Sequence, residues 1–225
     1  MIFDTPGYGE SSPPPDGAGL EEYVQLLWQA LDSIRGGRQL LLLGQHTGAH
    51  LAMLIAATHP EVTVGVIFHG LSLYTSAERN QHRRDYAPTI ESAPDGSHLA
   101  AIWSRLAKLY PTVSLELRNR MVCDYLTAKP DYAHAYRAVF DFDVDDAVTD
   151  FGASAIPSTI TIGTADLVYD RQDRVVRAFG STVREMPGLT DFAPWEDPEA
   201  FAGAVDDAVT ELLESTSEGH PQWSR

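Results

Sequence analysis

Gly44-Gln45-His46-Thr47-Gly48 stands between the run Leu40-Leu41-Leu42-Leu43 and a stretch rich in Ala, Leu and Met at residues 47–58. Four leucines between a turn and a glycine suit a short strand buried on both faces of a parallel sheet. The stretch that follows reads as a buried helix. It ends near Pro60, because the residue before a proline avoids the helical region. Residues 62–68 are apolar and rich in β-branched side chains, which predicts a second buried strand. Strand, helix and strand with short links make a βαβ unit, and such crossovers are right-handed. His46 therefore sits on a tight strand-to-helix corner.

Outward from this unit the pattern continues in both directions. Tyr23, Leu27, Leu31 and Ile34 recur at helical spacing, so residues 20–34 read as an amphipathic helix stopped by Gly36-Gly37. Residues 7–19, centred on Ser11-Ser12-Pro13-Pro14-Pro15, read as a loop. Residues 71–151 contain no convincing strand. Helical segments are expected at 97–109, 113–127 and 131–151, interrupted by Pro88, Pro94, Pro111 and Pro130. The sheet resumes with a strand at 156–162, a helix at 168–179 and a strand at 182–186. Asp197-Pro198 starts a last helix, an N-cap followed by proline at the first helical position, with Phe201, Val205, Ala208 and Leu212 on its apolar face. The expected organisation is an α/β core from residues 1–70 and 152–214, a helical insertion at 71–151 and a flexible tail at 215–225.

Composition narrows the function. The chain has 225 residues, of which 44% are hydrophobic, so one core of ordinary size is expected. Its net charge of −16 excludes nucleic acid, which needs a basic stripe, and disfavours anionic membranes. The one cysteine, Cys123, cannot form an intramolecular disulfide and reads as a small buried hydrophobe. No apolar run spans a bilayer and Met1-Ile2-Phe3-Asp4 lacks a signal-peptide pattern, so a cytoplasmic location is the expectation.

In open parallel sheets ligands bind at the carboxyl ends of the strands. That rule nominates Asp4 after a first short strand, His46 after the leucine strand, His69 at the end of the second, Asp166 after the third and Asp191 after the fourth. Two histidines and several aspartates are thus expected on one rim.

These residues carry a resemblance to the α/β-hydrolase superfamily that covers most of the chain. Asp4-Thr5-Pro6-Gly7-Tyr8-Gly9-Glu10-Ser11 resembles the Asp-x-Pro-Gly-x-Gly-x-Ser loop ahead of the family's nucleophile elbow. Gly44-Gln45-His46-Thr47-Gly48 matches the elbow, Gly-x-Ser-x-Gly, except at the nucleophile. Gly163-Thr164-Ala165-Asp166 resembles the loop of the triad acid. Pro187-Gly188-Leu189-Thr190-Asp191-Phe192 resembles the loop of the triad histidine, followed by the helix start Pro198-Glu199-Ala200-Phe201. The helical insertion stands where the family places its cap. The resemblance implies a mostly parallel sheet flanked by helices.

It does not imply the usual reaction. The family's order is nucleophile, acid, histidine, and here those positions hold His46, Asp166 and Asp191. A serine mechanism needs the serine and its base; this chain has neither there. The expected catalytic set is His46 as base or nucleophile, with Asp166 and Asp191 orienting it. The Thr47 N–H would be the oxyanion donor, and Gln45, His69 and Trp103 would line the pocket. The expected substrate is a small, largely apolar carbonyl compound or ester, with C–C bond cleavage as an alternative. A non-catalytic protein that binds a small molecule or partner is the reading from another class. No cofactor is expected. No metal is expected either, because no close His/Asp/Glu ligand spacing supports one. Asp141, Asp143, Asp145 and Asp146 lack the glycine and glutamate of a calcium loop. The resemblance also implies earlier strands and a His-Gly loop ahead of Met1. Without them a sheet edge is exposed, so an N-terminally shortened chain, a partner or a homo-oligomer covering that edge is expected.

Overall fold

The computed structural model describes residues 1–86 and 90–219. In chain order its elements are α1 (Leu20–Arg35), β1 (Leu40–Gln45), α2 (Thr47–Thr58), β2 (Thr63–His69), α3 (Ser76–Asp85), α4 (Ser97–Leu109), α5 (Leu115–Thr127), α6 (His134–Asp141), α7 (Asp145–Ala153), β3 (Ser158–Gly163), α8 (Gln172–Phe179), β4 (Thr182–Met186), α9 (Ala193–Glu196) and α10 (Pro198–Gly219). Short 3-10 turns precede β2 at Pro60–Val62 and α8 at Tyr169–Arg171.

The chain divides into two compact units. One comprises Trp28–Leu73 and Asp143–Arg225, and the other Met1–Leu27 and Tyr74–Phe142. The expected insertion at 71–151 thus includes α7, which packs with the sheet unit through α2. The expected core at 1–70 includes residues 1–27, which belong with the helical unit.

In the sheet unit four parallel strands stand in the order β1-β2-β3-β4. The faces follow from strand alternation. Ile67 on β2 packs with Ala208 and Leu212 of α10, with Leu41 and Val205 beside them. Its neighbour Phe68 turns to the opposite face and meets Phe151 of α7 and Phe179 of α8, with ring centroids 5.6 and 6.0 Å away. Helices therefore cover both faces, and Val66, Ile67, Phe68, Ile160 and Ile162 are fully buried. Burying side chains of this size stabilises the fold by about 1.5–3 kcal/mol each.

β1 departs from expectation. Among the described strands it pairs only with β2, and Leu43 is 42% exposed. The leucine run is an edge strand, half-buried, rather than a strand covered on both faces. Other corrections are local. Residues 1–3, where a first short strand is expected, are not in a strand. The helix expected at 131–151 is two helices, α6 and α7, broken at Phe142–Val144, where Asp143 Oδ1 accepts the Asp145 N–H at 3.3 Å. The helix expected at 168–179 begins as a 3-10 turn. The tail expected from residue 215 is helical through Gly219, and residues 220–225 lie outside the described residues, as does Pro88. Cys123 is exposed, not buried. Asp197 caps α10 as expected, its Oδ1 accepting the Ala200 N–H at 3.0 Å.

The helical unit has its own aromatic core. Tyr132 stacks on Tyr125 at 4.0 Å, and Tyr8, Tyr86 and Tyr136 pack around Ala128, Tyr132 and Ala133. Asp4 belongs to this unit. It organises its own loop, with Oδ2 accepting the Glu10 N–H at 3.1 Å and its carbonyl accepting the Ser11 hydroxyl at 2.7 Å. Trp103 on α4 is half-buried, with the Arg118 guanidinium over its ring at 5.3 Å. Among the described residues no helix is long and apolar enough to cross a membrane.

Candidate functional site

The corner between β1 and α2 turns directly from strand into helix at His46. His46 holds φ 49° and ψ −108°, a conformation that non-glycine residues seldom adopt. Its N–H donates to the His69 carbonyl at 2.8 Å, continuing the β1–β2 ladder, and its carbonyl accepts from Ala49 N–H at 2.9 Å, opening the helix. The strain is therefore held from both sides. Gly44 is required by the corner, since a Cβ there would stand 2.0 Å from the Gly48 carbonyl oxygen. Gly48 is not, since nothing lies within 4 Å of its Cβ direction.

The two acids come from adjacent strand ends. Gly163 of β3 pairs with Met186 of β4. The loops beyond are stitched by Thr164 N–H to the Met186 carbonyl at 3.0 Å and Ala165 N–H to the Leu189 carbonyl at 2.9 Å. Consecutive amides then fix both carboxylates. Leu167 N–H donates to Asp191 Oδ1 at 2.8 Å, and Val168 N–H to Asp166 Oδ1 at 2.8 Å. The Oδ2 atoms of both turn to His46. Asp166 Oδ2 lies 3.0 Å and Asp191 Oδ2 3.9 Å from its Nε2. The fold thus brings His46, Asp166 and Asp191 together from three separate loops. Gln45 holds the Asp191 carbonyl through its side-chain amide, so it braces the acid loop.

The electrostatics follow. Burial opposes the charged form of His46, but the charges of Asp191 and Asp166 and the hydrogen bond His46 donates to Asp166 outweigh it, raising its pKa to about 9. Burial would raise Asp166, yet His46 and the Val168 N–H hold it below the ordinary carboxylate range. Nδ1 of His46 makes no hydrogen bond to a described residue, and the side chain keeps 22% exposure.

His69 is fully buried. Its Nδ1 contacts the Thr161 carbonyl at 2.9 Å, which makes Nδ1 the protonated nitrogen, and Nε2 has no partner among the described residues. Burial and the charge of His46 push its pKa down to about 4, so it is neutral. His50, buried on α2, contacts the His46 carbonyl through Nδ1 at 3.2 Å and the Ser72 carbonyl through Nε2 at 2.9 Å; burial lowers its pKa. Thr47 and Gly48 open α2, so their N–H groups have no intrahelical acceptor.

The residue identities at the rim were legible in the sequence. The bracing was not: the amides of Leu167 and Val168, and Glu196, whose Oε2 accepts from Thr190 N–H at 2.7 Å and hydroxyl at 2.8 Å beside Asp191. His46, Asp166 and Asp191 have no close spacing in the sequence, yet one possible ligand atom of each lies within 4.8 Å of the others.

No family model matches the chain, and no curated protein matches its sequence. Solved structures do. MenH from S. aureus superposes with a TM-score of 0.74 at 16% identity, covering 94% of this chain and 83% of its own. A carboxylesterase of the Thaumarchaeon Nitrososphaera gargenis gives 0.73 at 13%, covering 94% and 79%. A hydrolase from Pseudomonas aeruginosa gives 0.70 at 18%, covering 92% and 77%. At these identities the likeness speaks to the fold alone.

Proposed function

From the premise that this chain has the α/β-hydrolase fold, we propose that it is a hydrolytic enzyme acting on a small, largely apolar ester or carbonyl compound, with the His46 imidazole in the role the fold gives to serine. The observation that carries the reading is the approach of Asp166 to His46 Nε2 at 3.0 Å on a corner held at positive φ. The carboxylate fixes the tautomer with hydrogen on Nε2 and leaves the Nδ1 lone pair for the substrate. That nitrogen acts as general base toward water, or attacks the carbonyl to give an acyl-imidazole that water then cleaves. Thr47 N–H, at the positive end of α2, is the donor for the developing oxyanion.

Both carboxylates favour the imidazolium. With a pKa of about 9, about 1% of His46 is neutral at pH 7, so turnover in this reading is strongly pH-limited. The test is hydrolysis of a panel of short-chain esters by the wild-type chain and His46→Ala. Loss of at least about 100-fold in kcat/KM supports the reading. Activity unchanged in His46→Ala sinks it.

The same observation favours a second reading. A histidine held as imidazolium between two carboxylates is also a buried ion cluster, which would suit a protein that binds a ligand without turning it over. Tight binding of a small carbonyl compound without turnover by the wild-type chain, at any pH up to 10, would favour this alternative.

A further inference from the structure

The carboxylates of Asp166 and Asp191 are built as a pair, and what they face is one nitrogen. The side chain of Asp166 is fully buried and that of Asp191 is 9% exposed. The Oδ1 atom of each is already committed to a backbone amide at 2.8 Å. One possible ligand atom from each of His46, Asp166 and Asp191 lies within 4.8 Å of the other two. Two ligand atoms on a tetrahedral ion with bonds of about 2.1 Å stand roughly 3.4 Å apart. The observed 3.0 and 3.9 Å from Nε2 to the two oxygens straddle that spacing. Ligating carboxylates whose second oxygen is hydrogen-bonded are the usual outer arrangement of a metal site.

An independent feature stands beside them. His69 presents a buried Nε2 lone pair with no donor among the described residues. Its ring is edge-on to His46, with centroids 6.4 Å apart. A buried acceptor left unmet costs about 1–3 kcal/mol, and a water bound to an ion is a donor of the kind it lacks.

We propose that His46 Nε2, Asp166 Oδ2 and Asp191 Oδ2 form a site for one divalent transition metal, with zinc the best match to a nitrogen and two oxygen donors. The ion takes the place of the proton on Nε2. An imidazole bound through Nε2 carries its remaining hydrogen on Nδ1 and has no free lone pair, so the loaded chain cannot use His46 as a base. Metal binding is thus a property of the site that goes beyond the hydrolytic reading and does not depend on it.

The experiment is calorimetric titration of the chelator-treated full chain with Zn2+ in the absence of substrate, with Co2+ absorption as the spectroscopic check. One ion per chain is expected, with a Co2+ spectrum of tetrahedral intensity. Asp191→Asn and His46→Ala should each weaken binding by more than the roughly 10–100-fold that an outer partner contributes, with circular dichroism showing the fold retained. His59→Ala, which removes the surface pair of His59 with Glu61 at 3.9 Å, should bind as the wild type. Absence of Zn2+ binding, or binding that survives His46→Ala and Asp191→Asn undiminished, overturns the proposal, and its loss in His59→Ala would place the ion at the surface pair instead. An ester panel that shows no turnover bears on the hydrolytic reading alone, because the titration contains no substrate.

Discussion

His46 Nε2 and Asp166 Oδ2 meet at 3.0 Å across 120 residues of chain, one on a helix start and the other in a loop whose backbone has already fixed its second oxygen. The contact therefore constrains the ring and not the acid. Replacing the acid should free the imidazole. In Asp166→Asn the pKa of His46 should fall from about 9 toward the ordinary histidine range, as read by NMR titration of its ring protons. A value unmoved by the substitution would mean that Asp166 is not a principal partner.

The same pKa gives opposite signs for stability and for rate. His46 gains protons on folding, because its folded value of about 9 lies above the ordinary 6.5. Its contribution, on the order of 3 kcal/mol, is complete below pH 6.5 and is lost as pH rises to about 9. Base catalysis needs the neutral ring, so kcat/KM should rise over that interval and level off above about 9. Denaturant midpoints and rate profiles taken across pH 6–10 check both directions, with His46→Gln removing both.

Gly44 and Gly48 look equivalent in the motif and should behave oppositely. Gly44→Ala drives a Cβ into the Gly48 carbonyl oxygen at 2.0 Å, backbone against backbone, and should cost more than about 4 kcal/mol or abolish folding. Gly48→Ala enters open space within α2 and should stabilise by about 0.5–1 kcal/mol. Thermal melts of the two variants decide it.

Gly70 should prove to be a site residue despite having no side chain. It holds φ +72°, and a Cβ there would stand 2.8 Å from His46 Nε2. Gly70→Ala should cost about 1–2 kcal/mol for the backbone alone and displace the ring from Asp166. A His46 pKa in this variant that stays near 9 would argue against the displacement.

A cap offers a control away from the site. Asp197→Ala removes the acceptor of the Ala200 N–H at the start of α10 and should lower stability by about 1 kcal/mol. The His46 pKa should not move, which separates a loss of stability from a loss of site geometry.

The sheet was legible where local pattern and burial agree. The spans of α2, α4 and β4 follow from composition and breakers, and the Asp197-Pro198 pair marks the start of α10. It failed where packing decides. Nothing in Leu40-Leu41-Leu42-Leu43 tells a central strand from an edge, because burial depends on the neighbour and not on the run. α3 carries no apolar periodicity, because Ser76–Asp85 is almost wholly polar, and its start is fixed by the Thr75–Glu78 capping box. For the site, each residue was visible at a strand end, but their convergence on Nε2 depends on loop hydrogen bonds that no spacing encodes.

Leu167 and Val168 set the acids through N–H groups that every residue but proline possesses. The distance between the two carboxylates is consequently written in chain length, not in side-chain identity. Any residue but proline at 167 or 168 supplies the same amide, with Val168 constrained only by its burial in the core, whereas one inserted or deleted residue would pull both acids out of register together, and a proline would release only one of them.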